Sequence, residues 1–348
     1  MNSRPFNVLH TADFYDSKGQ PKYPDIGLPL WHNHPNIVPG IIAEHRKQIG
    51  PDQLVGSQGV IVLTPSVTAN TVSNAKDLLV IARFGVGYDA VDVGACTAAD
   101  VLLTITTGAV DRPVAEATIG WMIALSHHFK TKDRLVRTGQ WDERSAYMGS
   151  ELRDRTLGVV GLGGIARQTI RLLAAFGMKQ TLAFDPYVRP EFAAEIGVRL
   201  VGLEELCRES DFLSVHCPLT SQTRGLIGAR EIAWLKPSAY LLNTARGGIV
   251  DEDALFDALQ SRRLAGAALD CFVTEPVLEP SRFGELENVL LAPHSIAWTH
   301  EMFRDIGRAT CQVMLDLACG KTPSGIVNAE VLNHPAFQTK WARLIAST

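Results

Sequence analysis

No stretch of this 348-residue chain forms an unbroken apolar run of about 18 residues, so nothing in it reads as a membrane-spanning helix. The opening MNSRPFN lacks the apolar core of a secretory leader. Positive charge is not in excess either. Against 33 Lys and Arg stand 37 Asp and Glu, interspersed, for a net charge of −4. That balance gives no support for nucleic acid or an anionic membrane as a partner. The six cysteines (Cys96, Cys207, Cys217, Cys271, Cys311, Cys319) are scattered, with no C-x-x-C, and read as reduced thiols of a cytoplasmic protein. His32 and His34 have no acidic or cysteine partner at ligand spacing, so they read as solvated loop histidines and no metal is expected. Internal repeats and low-complexity tracts are also missing. What remains is an ordinary globular composition, 46 % apolar, in a chain long enough for about two domains.

What is present centres on GLGGIAR, Gly161 to Arg167. The apolar run Thr156–Val160 leads in, and a helical pattern from Ile165 to Phe176 leads out and stops at Gly177. This is G-x-G-x-x-A between a strand and a helix. Gly161 permits the tight turn, Gly163 lets a pyrophosphate approach the backbone, and Ala166 is small enough for close helix–strand packing. The helix N-terminus offers free N–H groups and a positive dipole end to the phosphates. Asp185 ends the next apolar run, about 20 residues on, where an acid that binds the ribose hydroxyls is expected. Its charge would repel a 2′-phosphate, which favours NAD over NADP. Arg189, four residues further, keeps NADP as the lesser alternative.

The first third of the chain reads as an α/β unit of its own. Short apolar runs at Asn7–Leu9, Val60–Leu63, Leu78–Ala82 and Val101–Thr104 alternate with helix-compatible stretches at Ile41–Ile49 and Asn70–Asp77. Asp13 to Pro35 is expected to be a surface loop. Glycines in Arg83–Asp89 follow an apolar strand, at the end where open α/β sheets bind ligands. Pro113 to Val136 reads as one long helix, apolar nearly all round and therefore buried between domains or between subunits, with Trp121 a candidate contact. From Thr156 onward five to six strands alternate with helices as a doubly wound sheet. The loops after its strands carry His216, Arg246, Asp270, Glu275 and His294. A last helix covers Thr299–Cys319, and the tail beyond Lys321 should pack on an earlier part of the chain.

Those loops suit hydride chemistry. A histidine such as His294 gives and takes a proton near neutral pH, and a carboxylate such as Glu275 beside it would stabilise the imidazolium and fix the ring. Arg246 offers a two-pronged grip on a carboxylate and polarises a neighbouring carbonyl. Arg246 and Glu275 could equally form a structural ion pair.

GLGGIAR, His216-Cys-Pro-Leu-Thr220, Asn243-Thr-Ala-Arg-Gly-Gly-Ile-Val-Asp251, Gly266–Asp270, Glu275-Pro276 and Pro293-His294 together resemble the D-isomer-specific 2-hydroxyacid dehydrogenase family. RFGVGYDAVD (Arg83–Asp92), Val114-Ala-Glu116 and Val327-Asn328 extend the likeness, which covers about Gly59 to Asn328. The resemblance implies two Rossmann-like α/β domains. A doubly wound NAD-binding domain, residues 112–298, would be inserted into a flavodoxin-like substrate-binding domain made of residues 1–111 and 299–348, with the active site in the cleft. It implies His294 as acid/base, Glu275 as its support and Arg246 on the substrate carboxylate and carbonyl. It places backbone groups of Val86–Gly87 on the carboxylate's other side. Cofactor contacts would fall on Gly164 and Ile165 at the phosphates, on Asp185, Cys217, Pro218 and Thr223 around the adenosine, and on Thr106, Thr244, Arg246, Asp270 and His294 on the nicotinamide side. Arg83 sits where phosphoglycerate dehydrogenases hold an arginine for an anionic substrate group; an ion pair with Asp89 or Asp92 is the plainer reading. The implied reaction interconverts a small 2-keto acid and a D-2-hydroxy acid with NAD, in a homodimer built around the long helix. Phosphoglycerate and phosphite oxidation are alternatives. A formate dehydrogenase would carry Gln in place of Glu275. A non-enzymatic, NAD-sensing corepressor keeps the same three residues, and the chain shows no extra tails or basic segments to favour it. The extent of the chain also argues against an appended regulatory domain. Ala297 and Trp298 depart from the family pattern after the histidine, and the first 58 residues match poorly.

Overall fold

The structure, a computed structural model, describes residues 5–345. The chain forms two compact units, Met1–Val110 with Trp298–Thr348, and Asp111–Ala297. In the first unit the strands are β1 (Phe6–His10), β2 (Ile37–Ile41), β3 (Gly59–Val62), β4 (Val80–Arg83) and β5 (Leu102–Thr104), with α1 (Ala69–Val72) and α2 (Val93–Ala98) between them. All pair in parallel in the order β2-β1-β3-β4-β5, the flavodoxin-like order. β3 and the first three residues of β4 are buried on both faces, which is why they read as continuous apolar runs.

The second unit opens with α3 (Asp111–Ser126) and α4 (Phe129–Arg137). Then follow β6 (Thr156–Val160), α5 (Gly164–Leu173), β7 (Gln180–Phe184), α6 (Pro190–Glu195), β8 (Val198–Leu200), α7 (Leu203–Glu209) and β9 (Phe212–Val215). The unit ends with α8 (Ala229–Trp234), β10 (Tyr240–Asn243), α9 (Glu252–Gln260), β11 (Gly266–Leu269) and β12 (Val289–Leu291). The sheet is parallel throughout, in the order β12-β11-β10-β9-β6-β7-β8, with seven strands where five to six are expected from sequence. The short β8 is the extra one. Two apolar layers cover its faces. One includes Leu213, Leu241, Leu255 and Leu259; the other includes Ile119, Met122, Ala166 and Leu173. The chain then returns to the first unit with α10 (His300–Ala318) and α11 (Pro335–Ile345).

Several expectations are corrected. The stretch Pro113–Val136 is two helices, parted at His128, whose φ of 56° is left-handed. The apolar surround ends at Leu125, and α4 is amphipathic, with Lys130, Lys132, Asp133, Arg134 and Arg137 on it. Trp121 is 7 % exposed and belongs to the apolar layer of its own unit, so it offers little to a partner. Ile41–Ile49 is not helical. Ile37–Ile41 is an edge strand that tolerates Pro39, and beyond it Arg46 is held by Glu44 and Asp52 while Ile49 N–H donates to the Ser66 carbonyl. Asn70–Asp77 contributes only the single turn α1. Asp13–Pro35 is no free surface loop. Phe14, Ile26 and Trp31 are buried, and the Trp31 indole donates to the Cys311 carbonyl on α10 at 3.0 Å. His32 is exposed and His34 half-exposed. The tail does pack back. Asn328 accepts from Leu103 N–H at 2.8 Å, Lys340 donates to the Leu78, Ala99 and Asp100 carbonyls, and α11 itself is a helix that sequence periodicity leaves unassigned. Among the described residues, no helix is long and apolar enough to cross a membrane.

Candidate active site

The order of the second sheet reverses between β6 and β9, and ligands of doubly wound sheets bind beyond the strand ends at such a point. There the two loops touch. Gly161 has φ of +92°, and a Cβ on it would lie 2.9 Å from the Cys217 amide nitrogen, so the turn demands glycine. α5 starts without a side-chain cap, and a Cβ on Gly163 would meet nothing within 4 Å. An uncapped helix N-terminus facing open backbone fits a pyrophosphate. Ile165 lies in its first turn, and Ala166 is fully buried against the sheet. Asp185 follows β7 and accepts from Leu162 N–H at 2.8 Å and Tyr187 N–H at 2.9 Å, which locks the carboxylate beside the glycine turn. The Thr223 hydroxyl is spent on its own loop, donating to the Pro218 carbonyl at 2.6 Å and accepting from Thr220 N–H. Burial pushes the Cys217 thiol up to about 11.

On the other side of the switch point, β10, β11 and β12 end in three interlocked loops. Asn243, the last residue of β10, accepts from Ala245 N–H at 3.1 Å and donates to the Arg246 carbonyl at 2.9 Å, shaping the turn that carries Arg246. A Cβ on Gly247 would collide with the Phe272 carbonyl, so the arginine turn and the loop after β11 pass with no room for a side chain. That second loop is closed by Glu275, which accepts from Phe272 N–H at 2.8 Å through one carboxylate oxygen. Its other oxygen is 2.7 Å from His294 Nδ1. The peptide bond Glu275–Pro276 is cis. His294, three residues past β12, has φ of +52°, which a histidine adopts only when its surroundings hold it there. The hold is visible. Asp270, 5 % exposed, accepts from Ser295 N–H at 2.8 Å and Ile296 N–H at 3.1 Å, fixing the backbone just after the histidine.

The electrostatics follow from this packing. Burial alone would raise the Glu275 carboxyl. The hydrogen bonds from His294 and Phe272, with the charges of His294 and Arg246, outweigh it and hold the group below the usual carboxylate range. Burial dominates at Asp270 and raises it, despite its two backbone donors. An ionised Glu275 leaves Nδ1 of His294 as the donor and directs Nε2 outward as the proton-exchanging atom. His216, also on this edge, meets Ser214 Oγ through Nε2 at 2.9 Å, and burial lowers it to about 4. It is a neutral ring packed into the unit rather than an acid/base group.

Two polar atoms on this edge, Thr244 Oγ1 and His216 Nδ1, are buried without a hydrogen-bond partner among the described residues. Orphaned groups beside the glycine turn and beyond β10 are what a dinucleotide would satisfy, so these residues fit the cofactor that the motif implies.

Arg83, Val86, Gly87 and Thr106 belong to the other unit. Arg83 ends β4 and its guanidinium donates to the Phe84 carbonyl. Gly85 takes φ of +134° and its carbonyl accepts from Thr106 N–H at 3.0 Å, so the glycine loop and the segment after β5 are joined. Thr106 Oγ1 is also buried without a partner. Asp92 caps α2 through Ala95 N–H at 2.9 Å.

Three contributors escape sequence reasoning. Asn243 and Gly247 lie inside a quoted motif, but only the fold shows what they shape. Asp111 heads α3, and its carboxylate lies where a side chain on Gly164 would go, at the start of α5. Burial raises it, and Arg167 opposes that. An acid just before the helix pattern was its only signal.

Comparisons with known proteins agree with this fold. The family model "D-isomer specific 2-hydroxyacid dehydrogenase, NAD binding domain" matches residues 119–295. The chain is 38% identical over 298 residues to D-3-phosphoglycerate dehydrogenase of Rattus norvegicus, covering 84% of this chain and 55% of that protein. The chain thus spans about half the length of such relatives. To glyoxylate reductase of Thermococcus litoralis it is 33% identical over 311 residues, covering 88% of this chain and 91% of that one. Among solved structures, the TT0316 protein from Thermus thermophilus matches with a TM-score of 0.79 at 27% identity, over 92% of this chain and 99% of that one. D-lactate dehydrogenase from Aquifex aeolicus, complexed with NAD and lactic acid, matches with a TM-score of 0.78 at 27% identity, over 90% and 96%. With a family model over half of the chain and relatives 33–38% identical over most of it, the chain belongs to the D-isomer specific 2-hydroxyacid dehydrogenase family.

Proposed function

We propose that the protein is an NAD-dependent oxidoreductase that interconverts a 2-keto acid and a D-2-hydroxy acid. The observation that carries this reading is the Glu275–His294 pair, 2.7 Å apart, on a histidine backbone clamped by Asp270. A bound nicotinamide supplies or accepts the hydride. In the reducing direction His294 gives its proton to the carbonyl oxygen from Nε2, and in the oxidising direction it takes the hydroxyl proton at the same atom. Glu275 stays ionised, stabilises the imidazolium and prevents the ring from turning. Arg246 grips the substrate carboxylate and draws electron density from the carbonyl. Backbone N–H groups of Val86–Gly87 take the carboxylate's remaining lone pairs. Asp185 accepts the adenosine ribose hydroxyls, so NAD is preferred to NADP. Thr244 and Thr106 offer their hydroxyls on the nicotinamide side.

Oxidation of a phosphorylated hydroxy acid is the second reading. It is favoured by the likeness to phosphoglycerate dehydrogenases and by Arg83 at the end of β4. The protein is read as a homodimer of a reducing, cytoplasmic compartment. Phe129, Val136, Trp141 and Met148 are 54–80% exposed along α4 and the turn after it, a patch that a second copy would cover.

The test follows NADH absorbance with a panel of 2-keto acids, and then repeats the best substrate with NADPH. Reduction of at least one acid to its D-hydroxy product, faster with NADH, is expected. No turnover of any member would overturn the reading and leave an NAD-sensing interaction module. A preference for NADPH would overturn the role of Asp185.

A further inference from the structure

A hydrogen bond in the second unit crosses the crevice at its switch point. β6 lies between β7 and β9 in the sheet. The loops that leave β7 and β9 therefore begin two strand spacings apart, roughly 10 Å, on either side of the turn at Gly161. Tyr187, in the loop after β7, donates its phenol to Gln222 Oε1, in the loop after β9, at 2.8 Å. The bond thus passes beyond the end of β6, where a doubly wound sheet binds its ligand.

Both ends of the bond are set by their own loops. Tyr187 N–H donates to Asp185 Oδ1 at 2.9 Å, and the other oxygen of that carboxylate accepts from Leu162 N–H at 2.8 Å. One acid therefore ties the tyrosine to the glycine turn. Gln222 N–H donates to Thr220 Oγ1 at 3.2 Å, and the next residue, Thr223, donates its hydroxyl to the Pro218 carbonyl at 2.6 Å. A tyrosine that served only the fold would bury its ring. Tyr187 is 81% exposed. Apolar surface left in water contributes nothing to folding, and a hydrogen bond between exposed side chains contributes little. The ring is held at both ends with most of its surface in water, which is what a stacking platform requires.

The proposed function puts the adenosine ribose on Asp185, and a single bond joins the base to that sugar. We infer that Tyr187 is a positioning residue on which the adenine of NAD stacks, and that Gln222 is the anchor of its ring. This rests on the proposed cofactor. Every base has a π-face, so the ring holds adenine without reading its edges. Fixing the ring beforehand lowers the ordering cost that a free tyrosine would bring to binding.

The experiment titrates ADP-ribose, which has no nicotinamide, into the protein by calorimetry, so that binding is read apart from turnover. The proteins are the wild type, Tyr187→Ala, Tyr187→Phe, Gln222→Ala and the double variant Tyr187→Phe/Gln222→Ala. Tyr187→Ala should raise Kd by about five- to a hundredfold, the range that one base on one aromatic ring supplies. Tyr187→Phe and Gln222→Ala keep the ring and lose the same hydrogen bond. Each should raise Kd by no more than about threefold, and the double variant should match the single ones, since the two side chains share one bond. A loss in Tyr187→Ala below fivefold overturns the inference. So does an equal loss in Tyr187→Ala and Tyr187→Phe, which is the mark of a mere loop tether. Losses that add in the double variant overturn Gln222 as the anchor. A wild type that binds no ADP-ribose would sink the NAD reading and this inference with it, a result distinct from binding that Tyr187→Ala does not weaken.

Discussion

At the scale of single residues, the site depends on charges that must stay as they are. Glu275 is held below the ordinary carboxylate value of 4.5 by its partners, against the pull of burial. A depressed carboxylate contributes stability above its unfolded pKa and loses it as pH falls through the folded one. Glu275→Gln should therefore cost most stability at neutral pH, with a difference from wild type that shrinks below about pH 4.5. Urea midpoints across pH check this, and a difference independent of pH would contradict it. The same variant should lose on the order of tenfold or more in kcat, because an amide can orient the ring but cannot offset its charge. Asp111 acts in the opposite sense. Its carboxylate lies against Gly164, where the cofactor phosphates are expected. Asp111→Asn should tighten NADH binding severalfold at low salt by removing a like charge, with the gain fading as salt screens it. Unchanged or weaker affinity by titration would show that the carboxylate and the phosphates do not meet.

At the scale of elements, three strand ends act through one contact. The turn after β10 and the loop after β11 are separated by no side chain at Gly247; Asn243 shapes the first, and Asp270, at the start of the second, holds the loop after β12. Gly247→Ala must push the Phe272 carbonyl aside. It should cost about 1–3 kcal/mol by overpacking and lower kcat more than tenfold, because Arg246 and Glu275 move apart. A variant that folds with wild-type kcat would show that the loops move freely. This level was only half legible in sequence. Arg246, Glu275 and His294 stand out as polar groups in loops after apolar strands, and the glycine turn with Asp185 announces a dinucleotide fold by residue type and spacing. Gly247 looks like any turn glycine, and Asn243 like any strand cap, because their role is to meet residues far along the chain. The break between α3 and α4 was hidden for the same reason. Helical periodicity runs through His127 and His128, and only the change from an apolar surround to an amphipathic stripe marks it. The Asp13–Pro35 segment reads as loop from its prolines and glycines, while its burial is set by α10, nearly three hundred residues later.

At the scale of the whole molecule, parallel sheets were foreseeable from alternating apolar runs and helix patterns, whereas the flavodoxin-like order of the first and the return of the C-terminal segment to it were implied only by the family resemblance. Their acid sensitivity was not foreseeable. His10 is ringed by Phe14, Tyr15 and Trp31, and burial lowers it from 6.5 to about 4; His216, in the other unit, is lowered to about 4 as well. A histidine whose folded pKa is lowered binds its proton only when unfolded, so it leaves stability untouched above about pH 6.5 and erodes it as pH falls toward 4, by roughly 3 kcal/mol per site at most. His10→Phe, which keeps a ring in the cage, should flatten the loss of thermal midpoint between these limits. An unaltered pH profile would mean that His10 titrates normally. The central claim is narrower: His294 moves the proton that accompanies the hydride. Its most direct test is His294→Ala, with NADH binding followed by quenching of protein fluorescence beside turnover of the best 2-keto acid. NADH affinity should stay within about twofold while turnover falls by about three orders of magnitude or more; turnover near that of the wild type would remove His294 from the chemistry.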